Sequence, residues 1–143
     1  MPAKKQFNGT PEEAEAAFYA ALARADLDAL MALWADDEEI VCIHPGAPRL
    51  IGHAAIRASF EAIFERGSVQ LHTTQLHATH NMMTAVHSVI EETDKTSDNM
   101  PDIHILATNV YLKTPHGWRI TMHHVSVAAG KAPLDLFKAS VLH

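Results

Sequence analysis

The sequence lacks the means to make an internal disulfide, since Cys42 is the only cysteine among 143 residues. It has no apolar run approaching the roughly 18 residues that a membrane-spanning helix needs. Its first residues do not form the apolar core of a signal peptide. These absences make a cytoplasmic protein, with no membrane partner, the expectation. Positive charge is in short supply too. The formal net charge is −6, and Lys4 and Lys5 are the only adjacent basic pair, in what reads as a solvated tail. A nucleic-acid footprint is therefore not expected. Also missing are a glycine-rich phosphate loop, a dinucleotide fingerprint and a Gly-x-Ser-x-Gly elbow. His72, His77 and His80 do not make a zinc site: on a strand the outer two would sit about 27 Å apart, and His77 would face away. The run Asp36-Asp37-Glu38-Glu39 reads as a solvated turn, because neighbouring loop carboxylates rarely converge on one cation. No metal and no cofactor are expected.

What is present suits one globular domain with a real core: 48% apolar and 20% charged residues. The oddity is eleven histidines, each able to move a proton near neutrality.

Residues 1–9 read as a flexible tail. Thr10-Pro11-Glu12-Glu13 is a helix start, with a capping threonine, proline at the first position and glutamate three residues on. Helical spacing then runs to about Arg24. Asp26 or Asp28 opens a second, shorter helix through Leu30, Leu33 and Trp34. Ile40-Val41-Cys42-Ile43 has strand texture, Pro45 to Gly52 reads as a loop, and His53 to Glu65 as a third helix. Strands are predicted from Val69 to His80, Met83 to Glu92, Ile103 to Lys113 and Trp118 to Ala128, with turns at Asp94–Asn99 and Thr114–Gly117. The tail, residues 129–143, is apolar enough to pack on the domain or on a partner.

Strict alternation along the last strand puts Trp118, Ile120, Met122, His124 and Ser126 on one face, and Arg119, Thr121, His123, Val125 and Val127 on the other. Neither face is purely polar, so both need cover. Helices can cover one. A second copy of the chain is the simplest cover for the other, which predicts a homodimer through the outer sheet face.

The order Asp28-Ala29-Leu30-Met31-Ala32-Leu33-Trp34, Ile43-His44-Pro45-Gly46, Gly52-His53-Ala54-Ala55-Ile56 and Gly117-Trp118-Arg119-Ile120 closing on His123-His124-Val125-Ser126 resembles the nuclear-transport-factor-two-like superfamily. Within it, the chain looks most like the SnoaL-like and ketosteroid-isomerase-related group, and it is also similar to the association domain of calcium/calmodulin-dependent kinase II. The resemblance covers residues 10–128 and implies one cone-shaped α+β barrel: three N-terminal helices packed on a strongly curved, mainly antiparallel sheet. It implies no single chemistry, since such folds carry isomerases, cyclases, dehydratases, hydrolases and assembly domains.

Two functions are open at this point. One is a small-molecule pocket protein, acting as a cofactor-independent acid–base enzyme (isomerase, dehydratase, cyclase or hydrolase type) on a small apolar or amphipathic substrate. Its candidate proton carriers are His44, where the first strand meets the Pro-Gly loop, and His124, read as facing the cone interior. Tyr19, Trp34, Phe60, Asn109 and Met122 would line the pocket. The resemblance places a tyrosine donor on the first helix of the isomerases; Tyr19 is on that helix, but no matching aspartate follows the second helix, which argues against ketosteroid isomerisation itself. The alternative is an association domain without catalysis.

Overall fold

A computed structural model describes residues 8–93 and 103–130. The predicted turn at Asp94–Asn99, most of the N-terminal tail and nearly all of the C-terminal tail lie outside these residues.

Local signals start the helices as the sequence predicts. Helix α1 spans Pro11–Arg24, with the Thr10 side chain accepting a hydrogen bond from the Glu13 N–H at 3.1 Å. Glu13 returns the favour one residue earlier than a capping box would, accepting from the Gly9 N–H at 3.0 Å. Helix α2, Leu27–Met31, is capped by Asp26. It is only five residues long, so Leu33 and Trp34 lie past its end. Helix α3 spans His53–Glu65. The strands are β1 Val41–Ile43, β2 Leu50–Ile51, β3 His72–His80, β4 Thr84–Glu92, β5 Ile103–Thr114 and β6 Gly117–Ala129.

The sheet order is β2-β1-β6-β5-β4-β3. Every neighbouring pair is antiparallel except β1 and β6, which run parallel. Leu50 and Ile51, within the predicted loop, instead turn back on β1 as its outer neighbour. The architecture is three helices on a six-stranded, mostly antiparallel curled sheet, an α+β cone.

One residue changes which side chains enter that cone. Along β5 and β6, Val110 pairs with Met122 while Tyr111 pairs with Ile120. Thr121 has no opposite number, so a β-bulge sits there and resets the alternation. Before the bulge Ile120 points into the core; after it His123 and Val125 do. The strict alternation predicted for this strand is therefore wrong past Thr121. Met122 is half-buried and His124 exposed on the outer face, and His123, expected to face outward, is buried inside.

The core joins Ala14, Phe18 and Leu22 of α1 to Trp34, Ile40, Ile56, Phe60, Tyr111 and Ile120. Phe18 is its hub, lying 5.3 Å from the Tyr19 ring, 6.2 Å from Phe60 and 4.8 Å from the His123 ring. The start of the described chain is pinned as well: the Trp118 N–H donates to the Asn8 carbonyl at 2.8 Å. Gly117 makes that approach possible, because a Cβ there would lie 2.5 Å from the Asn8 oxygen, at φ +93. Gly117→Ala is expected to cost roughly 2–4 kcal/mol in urea denaturation; a loss below about 0.5 kcal/mol would contradict this packing.

Candidate functional site

Glu15 and Tyr19 lie one turn apart on α1, on the same side as Phe18 and Leu22, so both are carried under the sheet. The inner face of the sheet meets them with His87 and Glu91 from β4, Asn109 and Tyr111 from β5, and His123 from β6, all buried. Register fixes this grouping, because His87 pairs with Asn109 and Asn109 with His123.

These side chains form one hydrogen-bonded network. The Glu15 Oε2 accepts from Tyr111 OH at 2.7 Å, His87 Nδ1–H at 2.8 Å and Asn109 Nδ2 at 3.3 Å. Tyr19 OH donates to Glu91 Oε2 at 2.6 Å and accepts from Asn109 Nδ2 at 3.1 Å. The Asn109 Oδ1 accepts from His123 Nδ1–H at 2.6 Å; an amide oxygen only accepts, so the His123 proton is on Nδ1.

The two carboxyl groups are driven in opposite directions. Burial raises both. For Glu15 that is outweighed by the hydrogen bonds from His87 and Tyr111, the charge of His87 and the Asn109 bond, which together hold its carboxyl below the usual range. Glu91 has Tyr19 as its donor, and burial, reinforced by the Glu15 charge, leaves its carboxyl above the usual range. Burial and the charge of Glu91 also push the Tyr19 phenol up, so it stays neutral. His123 is pushed down to about 3, chiefly by burial and then by His44 and His124.

The network reaches the surface along α1. Glu15 and Tyr19 line a groove of about 460 Å³ between α1 and β3, with Ala16, Ala20, Leu71 and Leu76 among its apolar walls. A polar floor under apolar walls suits a small amphipathic molecule.

His44 lies elsewhere. It is half-buried, its ring 4.9 Å from that of Phe60 and its Nε2 2.9 Å from Ser59 Oγ. Ser59 spends its own proton on the Ile56 carbonyl, so His44 Nε2–H is the donor. Burial lowers its pKa and favours the neutral ring. Phe60 and Phe18 stand between it and Tyr19. The structure therefore brings Tyr19 and Asn109 together. It puts Phe60 in the core and Trp34 in a separate cleft, and the bulge places His124 on the exposed outer face with Met122, away from the buried network. Sequence reasoning missed Glu15, His87, Glu91, Tyr111 and His123.

Cys42 lies 3.7 Å from His44 Nε2, but burial pushes its thiol up to about 12. A neutral buried thiol is inert. Native protein at pH 8 is expected to resist iodoacetamide, with labelling only after urea; prompt labelling would contradict the burial.

Comparison with known proteins follows this geometry. A SnoaL-like domain model matches residues 12–130. A structure from Thiobacillus denitrificans, described provisionally as a calcium/calmodulin-dependent protein kinase type II association domain, is 38% identical with a TM-score of 0.76, covering 86% of this chain and 98% of that one. A structure from Streptomyces avermitilis, described provisionally as a dehydratase of the NTF2-like family, is 30% identical with a TM-score of 0.71, covering 82% and 92%. A ketosteroid isomerase-like protein from Erwinia carotovora atroseptica is 19% identical with a TM-score of 0.62, covering 82% and 93%, and bears on the fold alone. No curated protein matches the sequence.

Proposed function

The chain belongs to the SnoaL-like domain family, and from that premise we propose that it binds a small amphipathic molecule and moves a proton on it by cofactor-independent acid–base catalysis. The observation that carries this reading is the split pair of buried glutamates, Glu91 bonded to Tyr19 and Glu15 joined to the same hydroxyl through Asn109. Glu15, with three donors on one oxygen, is a fixed anion. Glu91, held above the usual carboxyl range and bonded to Tyr19, is the group that takes up and gives back the proton. Tyr19 connects it to the groove. With Glu91 ionised, Tyr19 donates to it and its oxygen faces a proton-yielding ligand group. With Glu91 protonated, its O–H passes a proton to the Tyr19 oxygen while the phenol proton moves to the ligand. The phenol stays neutral before and after each transfer, as its raised pKa requires.

Isomerisation or dehydration of a small carbonyl compound fits such a relay, since both begin with loss of a proton beside a carbonyl. The test is deuterium exchange at the α-carbons of 2-tetralone and cyclohexanone in D2O, followed by proton NMR. Exchange above the buffer rate, lost in Tyr19→Phe and Glu91→Gln, is the expected result. No acceleration of either ketone by folded wild-type protein would overturn the reading.

A second reading, assembly, is favoured by the outer sheet face. Its paired rows, Val86-Val110-Met122, Ser88-Thr108-His124 and Ile90-Leu106-Ser126, carry no Asp, Glu, Lys or Arg. A second copy covering this face is compatible with the relay, which opens on the other side of the sheet. Light scattering is expected to give about twice the 15.7 kDa of one chain; a monomer would remove the assembly reading and leave the relay untouched.

A further inference from the structure

The relay between Glu91 and Tyr19 makes no use of His123, yet this ring is buried, at 4% exposure, and bonded into the same network from β6. Hydrogen-bond polarity says what it does there. Glu15 is held as an anion, and a carboxylate only accepts. The Asn109 atom 3.3 Å from Glu15 Oε2 is therefore the amide nitrogen. That turns the Asn109 oxygen to His123 Nδ1 at 2.6 Å, and the proton of this bond sits on Nδ1. The amide nitrogen also donates to the Tyr19 oxygen at 3.1 Å. Because Tyr19 accepts from Asn109, its own proton goes to Glu91 Oε2, 2.6 Å away. Donation thus runs one way through His123, Asn109, Tyr19 and Glu91, across β6, β5, α1 and β4.

The direction depends on the amide. Turned over, Asn109 would present its oxygen to Tyr19, and the phenol proton would have a second acceptor in competition with Glu91. Two partners oppose that turn. Glu15 does so through a bond of 3.3 Å, long for an N–H donor. His123 does so through one of 2.6 Å. Burial keeps His123 neutral, so its ring has a single N–H, and that N–H is the one on Asn109. We propose that His123 is the positioning residue of this site: by donating from Nδ1 to Asn109 it locks the amide nitrogen toward Tyr19 and so keeps the phenol proton directed at Glu91. The inference rests on the relay proposed for Tyr19 and Glu91. The residues lining the groove include neither His123 nor Asn109, so His123 acts on the relay and not on the ligand. Strand β5 separates it from Glu91 on β4, which makes Asn109 and Tyr19 its route to that carboxyl.

The test compares the full wild-type chain with His123→Leu, which has no donor, and His123→Asn, whose Nδ2 branches from Cγ as the imidazole Nδ1 does and still donates. Carboxyl ¹³C titration is read first. The Tyr19 hydrogen bond lowers the Glu91 value, so Glu91 is expected to titrate higher in His123→Leu than in wild type, and to move back in His123→Asn. Exchange of 2-tetralone at varied ketone concentration is read second. In His123→Leu kcat should fall about 10- to 100-fold with KM unchanged, and His123→Asn should recover much of the loss. A third reading needs no variant: the long-range ¹⁵N–¹H spectrum of wild type should show His123 protonated at Nδ1. An Nε2–H ring in wild type would overturn the proposal, as would Glu91 titrating alike in His123→Leu and wild type, or a wild-type kcat in His123→Leu. A wild-type protein that exchanges no ketone would instead remove the relay reading, and the titration and the tautomer would still decide the hold on Asn109.

Discussion

Tyr19→Phe is expected to slow α-proton exchange by roughly 100- to 10,000-fold, the range removed with a positioned acid or base. The hydroxyl donates to Glu91 Oε2 at 2.6 Å and accepts from Asn109 Nδ2 at 3.1 Å, and Tyr19 lines the groove while Glu91 is only 5% exposed. The ring itself stays, so its edge contact with Phe18 and the fold should survive, at a cost of about 1–2 kcal/mol for the lost hydrogen bonds. Glu91→Gln should give a similar loss, because an amide has no proton to trade near neutral pH. The two variants differ in pH dependence. Any residual rate of Tyr19→Phe should still follow the ionisation of Glu91, whereas that of Glu91→Gln should not. Wild-type rates in either variant would remove Tyr19 and Glu91 from the chemistry.

The second large effect is on stability. His123 takes up a proton in the unfolded chain near 6.5, but in the folded chain only at about 3. Between those values the unfolded state binds the extra proton, so stability rises with pH and falls on acidification. At about 1.4 kcal/mol per pH unit, a gap from 6.5 to about 3 comes to about 5 kcal/mol. Glu15 acts in the same direction: its folded carboxyl is lowered, so its contribution is present above about 4.3 and lost as pH falls through the folded value. Glu91 opposes them. Its raised carboxyl favours the folded state at low pH, and that contribution is lost as pH rises through the folded value. Through this window His123 and Glu91 pull in opposite directions. Urea midpoints should therefore fall more, or rise less, on acidification for wild type than for His123→Asn. An equal slope in both would show that the imidazole is not held neutral in the core.

Much of the frame was legible because it is local. The Thr10 cap, the α3 limits at His53 and Glu65, and the four long strands all follow from spacing and turn residues within a few positions. The cone also followed from the order of Trp34, His44 and Trp118 along the chain. The site was less legible, for two separate reasons. The bulge at Thr121 depends on how β6 pairs with β5, which no residue in β6 announces, and it exchanged His123 for His124 and turned Met122 outward. The glutamates were readable in principle. Glu15 sits on the stripe with Pro11, Phe18, Tyr19 and Leu22, and Glu91 is in phase with Ala85, His87 and Val89. A charge at a buried phase of a helix or strand is costly unless partnered, so both pointed to a buried polar network. What spacing could not supply was the partner list, because His87, Asn109 and Tyr111 come from strands 72 to 96 residues away from Glu15.

The most direct test of the account is a carboxyl ¹³C NMR titration with Glu15 and Glu91 assigned by Glu→Gln variants. The split pair predicts that Glu15 titrates below about 4.3 and Glu91 above it, and that Glu91 moves down when Glu15 is neutralised. Coincident titration at the ordinary value, or the reverse order, would contradict a fixed anion beside a proton-trading acid and with it the proposed chemistry.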